Sequence, residues 1–435
     1  LFVEEYLLML QQTLASRLRG RLHYALVVAA LTFLALLVVA GIRAAPSVLI
    51  VPLEHSFGWS RDQITLAVSI GIALFGLMGP FAAAAMQRFG IRRTMVAASI
   101  VLASAMAGSA FVTTPFGLIL TWGILGGIGT GAMAMVLGVT VVNRWFETNR
   151  GTVLGLLTAS TATGQLLFLP VLAWVTEHYD WRVVVYIVAA VALALMLVVL
   201  LLLPERPSDV GVYRYGGSAD DAPAPQAGNP IVAAFRALST ASRSGTFWLL
   251  FGTFFICGLS TNGLIGTHMI AFCADNGIPE VKAAGLLAMM GVCDIIGTTL
   301  SGWLSDRYDS RKLLFVYYGL RGLSLLYLPY SDFSFGSLGL FTLFYGLDWI
   351  ATVPPTVKLT TNRFGNQLAP LVYGWIGAGH QLGAALAAFG AGVLRVQTNR
   401  YVEAFLIAGV ACLVASVMAI LVRRNSVATL QPAAA

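Results

Sequence analysis

Five ionisable side chains, Arg43, Asp294, Arg321, Asp348 and Lys358, stand inside long apolar runs of a 435-residue chain. A charge within a bilayer costs roughly 2.5–3.5 kcal/mol or more, so it persists where it is paired or wet. An arginine so placed can hold an organic anion. A carboxylate kept from bulk water can take up and release a proton, or neutralise a nearby cation, and Asp294 is open to either use. Arg321 reads first as a packing partner for Asp348 or Asp294. Lys358 lies near one end of its run and can snorkel outward. Uncharged groups accompany them. Asn262 and His268 are six apart on one segment, His380-Gln381 follows the glycine-rich Gly374-Trp375-Ile376-Gly377-Ala378-Gly379 on another, and Gln165 is a weaker candidate on a third. Histidine titrates near neutral pH or donates to a carboxylate.

The elements that must hold these groups follow from composition. Hydrophobic residues are 58% of the chain and charged residues 10%, with 45 glycines, which describes a chain dissolved in lipid. The net charge of +7 does not point to nucleic acid, because the basic residues sit in short clusters beside apolar runs. Cys257, Cys273, Cys293 and Cys412 fall in or beside those runs without C-x-x-C spacing. They read as small core residues, and neither metal nor cofactor is expected.

A crossing helix needs roughly 20 apolar residues. Such segments are predicted at 24–52, 63–87, 92–112, 116–142, 150–176, 181–203, 246–274, 281–305, 311–330, 336–361, 367–394 and 401–422. The longest break, Pro204 to Gly245, contains Asp220-Asp221-Ala222-Pro223-Ala224-Pro225, a composition unable to bury enough surface to fold alone. The expected architecture is an all-α polytopic membrane protein of twelve transmembrane helices in two pseudo-symmetric six-helix bundles, 23–203 and 246–422. A cytoplasmic linker, 204–245, joins them, with an amphipathic or disordered start at 1–22 and a tail at 423–435. Of the 26 Lys and Arg, 18 fall on one side of this layout, while Arg61, Arg182, Lys282, Arg395 and Arg400 fall on the other and three lie within spans. That bias puts both termini in the cytoplasm. Pro354-Pro355 interrupts the tenth segment, where freed carbonyls and a kink mark either a binding site or a hinge.

The loop after the eighth segment reads Gly302-Trp303-Leu304-Ser305-Asp306-Arg307-Tyr308-Asp309-Ser310-Arg311-Lys312, and a weaker copy after the second ends Arg88-Phe89-Gly90-Ile91-Arg92-Arg93, with Gln87 in the acidic place and Ala83 in the leading glycine's. The pair resembles the G-x-x-x-D-R-x-G-R-R/K signature of the major facilitator superfamily. There a small residue lets helices approach, while the carboxylate and arginines form charge-assisted bonds that latch the bundles in one state and break in the other. Gly302, Asp306, Arg307, Arg311, Arg88 and Arg92 are the corresponding latch candidates. Arg150-Gly151-Thr152-Val153-Leu154-Gly155, continuing to Gly164, is similar to the start of the fifth span in monocarboxylate porters, whose glycines permit tight packing.

This resemblance implies a secondary active transporter moving a small organic anion, a monocarboxylate, across a bacterial inner membrane by alternating access, proton-coupled or by exchange. The family's eighth-span aspartate matches Asp294, the expected proton-coupling group, but its arginine four residues on is Thr298 here. Its first-span lysine falls at Ser47, with Arg43 one turn earlier. Arg43 is therefore the leading anion site, completed by Asn262, His268, Asp348, His380 and Gln381, with Arg321 and Lys358 pairing charges. The expected partners are the substrate, a proton or counter-substrate, and lipid, with the chain a monomer. The alternative is a proton-driven exporter of drugs or metabolites, but Gln165-Leu166-Leu167-Phe168-Leu169-Pro170 after Gly164 lacks the G-x-x-x-G-P-x-x-G-G antiporter pattern. No G-x-S-x-G, H-E-x-x-H or G-x-x-x-x-G-K-[ST] run supports an enzyme or an ATP-driven pump.

Overall fold

The computed structural model describes residues 2–217 and 229–423. Asp220, Asp221, Pro223 and Pro225 of the expected linker, and the tail from Arg424, lie outside the described residues. The described chain has no strand and one isolated β-bridge, Phe146 with Tyr215. Its helices are α1 Phe2–Leu18, α2 Tyr24–Phe57, α3 Arg61–Leu77, α4 Gly79–Phe89, α5 Ile91–Ser109, α6 Pro115–Trp145, α7 Arg150–His178 and α8 Trp181–Leu202. There follow α9 Pro230–Ala241, α10 Gly245–Asp275, α11 Glu280–Arg307, α12 Ser310–Tyr327, α13 Phe335–Asp348, α14 Val353–Thr398 and α15 Val402–Leu421. Each of the twelve expected segments overlaps a helix. Among the described residues, eight helical runs are long and apolar enough to cross a membrane alone, or nine if α3 and α4, bent by 56°, count as one.

Polar residues at the ends of these runs start and stop them. Asp180 accepts the Arg182 amide at 2.8 Å to open α8, and Asp309 accepts that of Arg311 at 3.1 Å to open α12. Inside α14, Gly365 has φ 74°, a conformation that L side chains rarely adopt, and separates the tenth segment from the eleventh. Two π-helical stretches, Ile119–Gly126 in α6 and Leu259–Ile265 in α10, widen the turn locally.

The chain divides into two compact units, Leu1–Ile231 with Met269–Ala288, and Val232–His268 with Met289–Ala435. In the first, α2 packs on α7, α5 on α8 and α3 on α6. A Cβ on Gly164 would lie 2.6 Å from the Leu37 carbonyl oxygen, so this glycine makes the α2–α7 approach possible. Gly155 has open space around it, so only part of the fifth-span glycine pattern serves packing. The start of the chain is helical: in α1, Leu7 is buried, and Gln11 and Gln12 donate to the Leu201 and Asp209 carbonyls. The flanks of the expected linker are likewise folded. Arg214 pairs with Glu147 at 2.5 Å, and α9, which lies mostly in the second unit, buries Ala234, Ala237 and Ala241 there.

In the second unit α12 packs on α15 and α10 on α14, around a core that includes Phe247, Phe254, Tyr318 and Ile376. The α10–α14 approach is close enough that a Cβ on Gly258 would sit 1.8 Å from the His380 carbonyl oxygen.

Candidate functional site

Helical hydrogen bonding fails between α13 and α14, at residues 349–352, and buried side chains take up the freed backbone groups. Pro354 and Pro355 are not at this break. They occupy the first turn of α14, where a missing N–H leaves nothing unpaired, so the interruption lies just before them. Arg321 of α12, 1% exposed, donates through Nη2 to the Asp348 carbonyl and, at 3.1 Å, to that of Trp349. Its Nε meets Asp348 Oδ2 at 2.6 Å. Asp294 of α11 receives the Ile350 amide at 2.8 Å on Oδ1, and Ser301 Oγ donates to the Ala351 carbonyl at 2.5 Å. Backbone inside a bilayer must be paired from within, and charged side chains do it here.

The same groups form a polar cluster. Arg321 Nη1 reaches Cys257 Sγ at 2.9 Å, and Thr352 Oγ1 lies 3.4 Å from that sulfur. Thr298, where the monocarboxylate pattern has an arginine, donates to Asp294 Oδ1 at 2.8 Å. Both hydrogen bonds to Asp294 fall on Oδ1, and Oδ2 has none among the described residues. Asp348 Oδ1, His380 Nδ1 and Gln381 Oε1 also lack a hydrogen-bond partner among the described residues. Asn262 sits in the π-helical stretch of α10, partly buried, with its carbonyl accepting from Thr267 at 2.9 Å.

His268 departs from the expected binding role. It is fully buried, with Nε2 2.7 Å from the Ala388 carbonyl and Nδ1 2.9 Å from the Tyr401 hydroxyl. A carbonyl only accepts, so Nε2 carries hydrogen and Nδ1 accepts from Tyr401. With both nitrogens satisfied, this histidine ties α10 to α14 and α15 rather than facing a ligand. Lys358 donates to the Ser305 carbonyl near the end of α11, a helix-terminal contact rather than a charge pair.

In the first unit Arg43 projects from α2 with its guanidinium 3.8 Å from the centre of the Phe75 ring. No carboxylate pairs with it among the described residues. Stacking uses the π-face and leaves the N–H donors at the guanidinium edge. Ser47 is buried, its hydroxyl turned back to the Ala44 carbonyl at 2.7 Å. The side chain of Gln165 lies outside the described residues.

The latch candidates are only partly arranged as expected. Arg311 pairs with Asp309, at 2.5 Å and 3.1 Å, and not with Asp306, which is exposed and without an ion-pair partner among the described residues. Arg307 stacks over Trp303 at 4.0 Å. A Cβ at Gly302 would meet nothing within 4 Å, so close approach does not explain that glycine. Arg88 lies over Phe89 at 5.5 Å, and the Arg92 amide donates to Glu205 at 2.9 Å.

Sequence reasoning missed two features. Cys257 reads as a core residue, yet it meets Arg321 and Thr352, 64 and 95 positions away. Arg61, counted as a loop charge, is 5% exposed and held by Glu54 at 2.9 Å and by both oxygens of Asp275 at 2.6 Å and 2.8 Å. No spacing signal connects partners 214 residues apart.

The sequence profile of the Major Facilitator Superfamily matches residues 31–388 and, overlapping, 290–434. An uncharacterized MFS-type transporter, YcxA of Bacillus subtilis, is 26% identical over 356 residues, covering 80% of this chain and 83% of that protein. Monocarboxylate transporter 13 of Bos taurus is 27% identical over 374 residues, 85% of this chain and 83% of that one. Among solved structures, a bacterial homolog of the human lysosomal transporter Spinster, inward-facing and unoccupied, superposes with a TM-score of 0.73 at 16% identity, covering 93% and 98%. A D-xylose–proton symporter gives 0.69 at 16% identity, covering 91% and 97%. At that identity the structures show the fold alone.

Proposed function

The chain belongs to the Major Facilitator Superfamily, a family of transporters and not of enzymes, and from that premise we propose that it carries a small organic anion, a monocarboxylate, across a bacterial inner membrane. The single observation that carries this reading is Arg43. Arg321 and Lys358, the other two intramembrane cations, are spent on Asp348 and on backbone carbonyls. Arg43 is stacked on Phe75 with its donor edge unmatched by any described carboxylate. A planar carboxylate matches that edge through two parallel N–H···O bonds.

Transport proceeds by alternating access, driven by a proton or by exchange, with both termini cytoplasmic and one chain as the working unit. Asp294 carries the proton on Oδ2 while Oδ1 holds the backbone of the broken span. Asp348, His380 and Gln381 present unmatched polar atoms that line the substrate route, with Asn262 on the widened turn of α10. The test is uptake of radiolabelled lactate and pyruvate into proteoliposomes with an imposed pH gradient. Arg43→Gln is expected to abolish saturable uptake with normal membrane insertion, and Arg43→Lys to raise KM by about tenfold or more, because an ammonium cannot make the bidentate contact. Unchanged uptake and apparent affinity in Arg43→Gln would remove the proposed anion site.

A further inference from the structure

A cavity of about 480 Å³ in the first unit has Arg88, Arg92, Arg93, Arg144 and Arg206 among its lining residues, with Glu205 the one acidic residue among the described lining. Its volume lies within the range of small-molecule sites, roughly 300–1,000 Å³. Glu205 supplies a single negative charge beside five guanidinium groups, and its oxygens are directed at the start of α5 and at Arg144. Oε2 accepts the Ile91 amide at 2.7 Å and Oε1 that of Arg92 at 2.9 Å, closing the N-terminus of α5, and Arg144 approaches Oε2 at 3.5 Å. The equivalent loop in the second half offers Asp306, but the first half has Gln87 at that place, so the copy that gathers the arginines lacks its acid. Like charges gathered around one concavity repel unless an anion joins them.

We propose that this cavity binds a phosphate-bearing anion, supplied in the membrane by the headgroup of an anionic phospholipid. Guanidinium groups match phosphate oxygens in parallel pairs, and Arg88, Arg92 and Arg206 are the principal contacts. Basic pockets where transmembrane helices end at the cytoplasmic face suit such headgroups. Leu8 of α1 and the 56%-exposed Phe89 give the cavity an apolar edge for the start of an acyl chain. Its lining includes neither Arg43 nor Arg321, and it does not depend on which substrate is carried.

The test uses the purified full chain in an uncharged detergent, titrated with dioctanoyl phosphatidylglycerol, dioctanoyl phosphatidylcholine or inorganic phosphate, with the thermal unfolding midpoint as readout. Phosphatidylglycerol is expected to raise the midpoint saturably and phosphatidylcholine to leave it unmoved. Arg92→Gln/Arg206→Gln is expected to weaken the apparent affinity by about tenfold or more. Arg17→Gln/Arg21→Gln, which removes two exposed charges that do not line the cavity, is expected to keep it. A phosphate response matching that of phosphatidylglycerol supports the site and identifies free phosphate as its source, whereas a much weaker one supports the lipid. No shift with either anion, an equal shift with phosphatidylcholine, or equal losses in the two double variants would overturn the proposal. If the glutamine variant does not yield folded protein, Arg92→Lys/Arg206→Lys takes its place. It keeps the charge and loses the planar donor fork, so it must also weaken binding for the proposal to stand.

Discussion

The two oxygens of Asp294 stand in different settings, and the roles proposed for them can be separated by substitution. Oδ1 accepts from the Thr298 hydroxyl and from the Ile350 amide that the broken span leaves open. Asp294→Asn keeps an acceptor there, so its stability should fall by no more than about 1 kcal/mol, whereas Asp294→Ala strands a buried N–H and should cost about 1–3 kcal/mol. Thermal unfolding in detergent checks both. In proteoliposomes the asparagine variant should lose proton-driven accumulation while keeping substrate exchange, since it no longer takes up a proton. A wild-type pH profile in that variant would leave the carboxylate a purely structural role. The charges that carry this reasoning were visible in the sequence because each is expensive in an apolar run. Asp348 was among the partners that pattern offered Arg321, whereas the contacts of Arg321 with Cys257 and the Trp349 carbonyl were not legible, because they arise only through packing of separate helices.

At the scale of elements, the helical runs were legible from hydropathy, and their ends from the polar residues that cap them. The break in the tenth segment was legible only approximately. Prolines announce an interruption, but Pro354 and Pro355 are accommodated in the first turn of α14, and the unpaired backbone lies just ahead of them. Small-residue patterns were legible as a type but not residue by residue. Gly164 abuts the Leu37 carbonyl and Ala40, while Gly155, nine positions earlier on the same helix, abuts nothing. Gly164→Ala should therefore cost about 1–3 kcal/mol through overpacking of the α2–α7 contact. Gly155→Ala should be neutral or stabilising by up to about 1 kcal/mol, as expected for removing a helical glycine where there is room. Unfolding midpoints of the two variants in the same detergent test this, and equal losses would show that the contact at Gly164 is not limiting.

For the whole molecule, the distribution of Lys and Arg makes a claim about orientation that no single contact carries. The positive clusters at Arg88–Arg93 and Arg307–Lys312 fall on the side proposed as cytoplasmic, and the loop 331–334 between α12 and α13 falls on the other. Local geometry at Arg61 fits the same layout. Arg61, on the side proposed as external, is held by Glu54 and Asp275, so it is not a positive loop charge in the sense of the rule. All four native cysteines are buried, which allows single reporters to be introduced without first removing them. Asp332→Cys and Asp306→Cys place thiols on opposite sides of the proposed membrane at exposed or partly exposed positions. In intact cells a membrane-impermeant maleimide should label Asp332→Cys and spare Asp306→Cys, and both should react after permeabilisation. The inverse pattern would reverse the topology and place the arginine-lined cavity outside the cell. Equal labelling of both positions in intact cells would place both loops outside, so that α12 is not a single crossing between them, and would remove the bundle layout on which the transport reading depends.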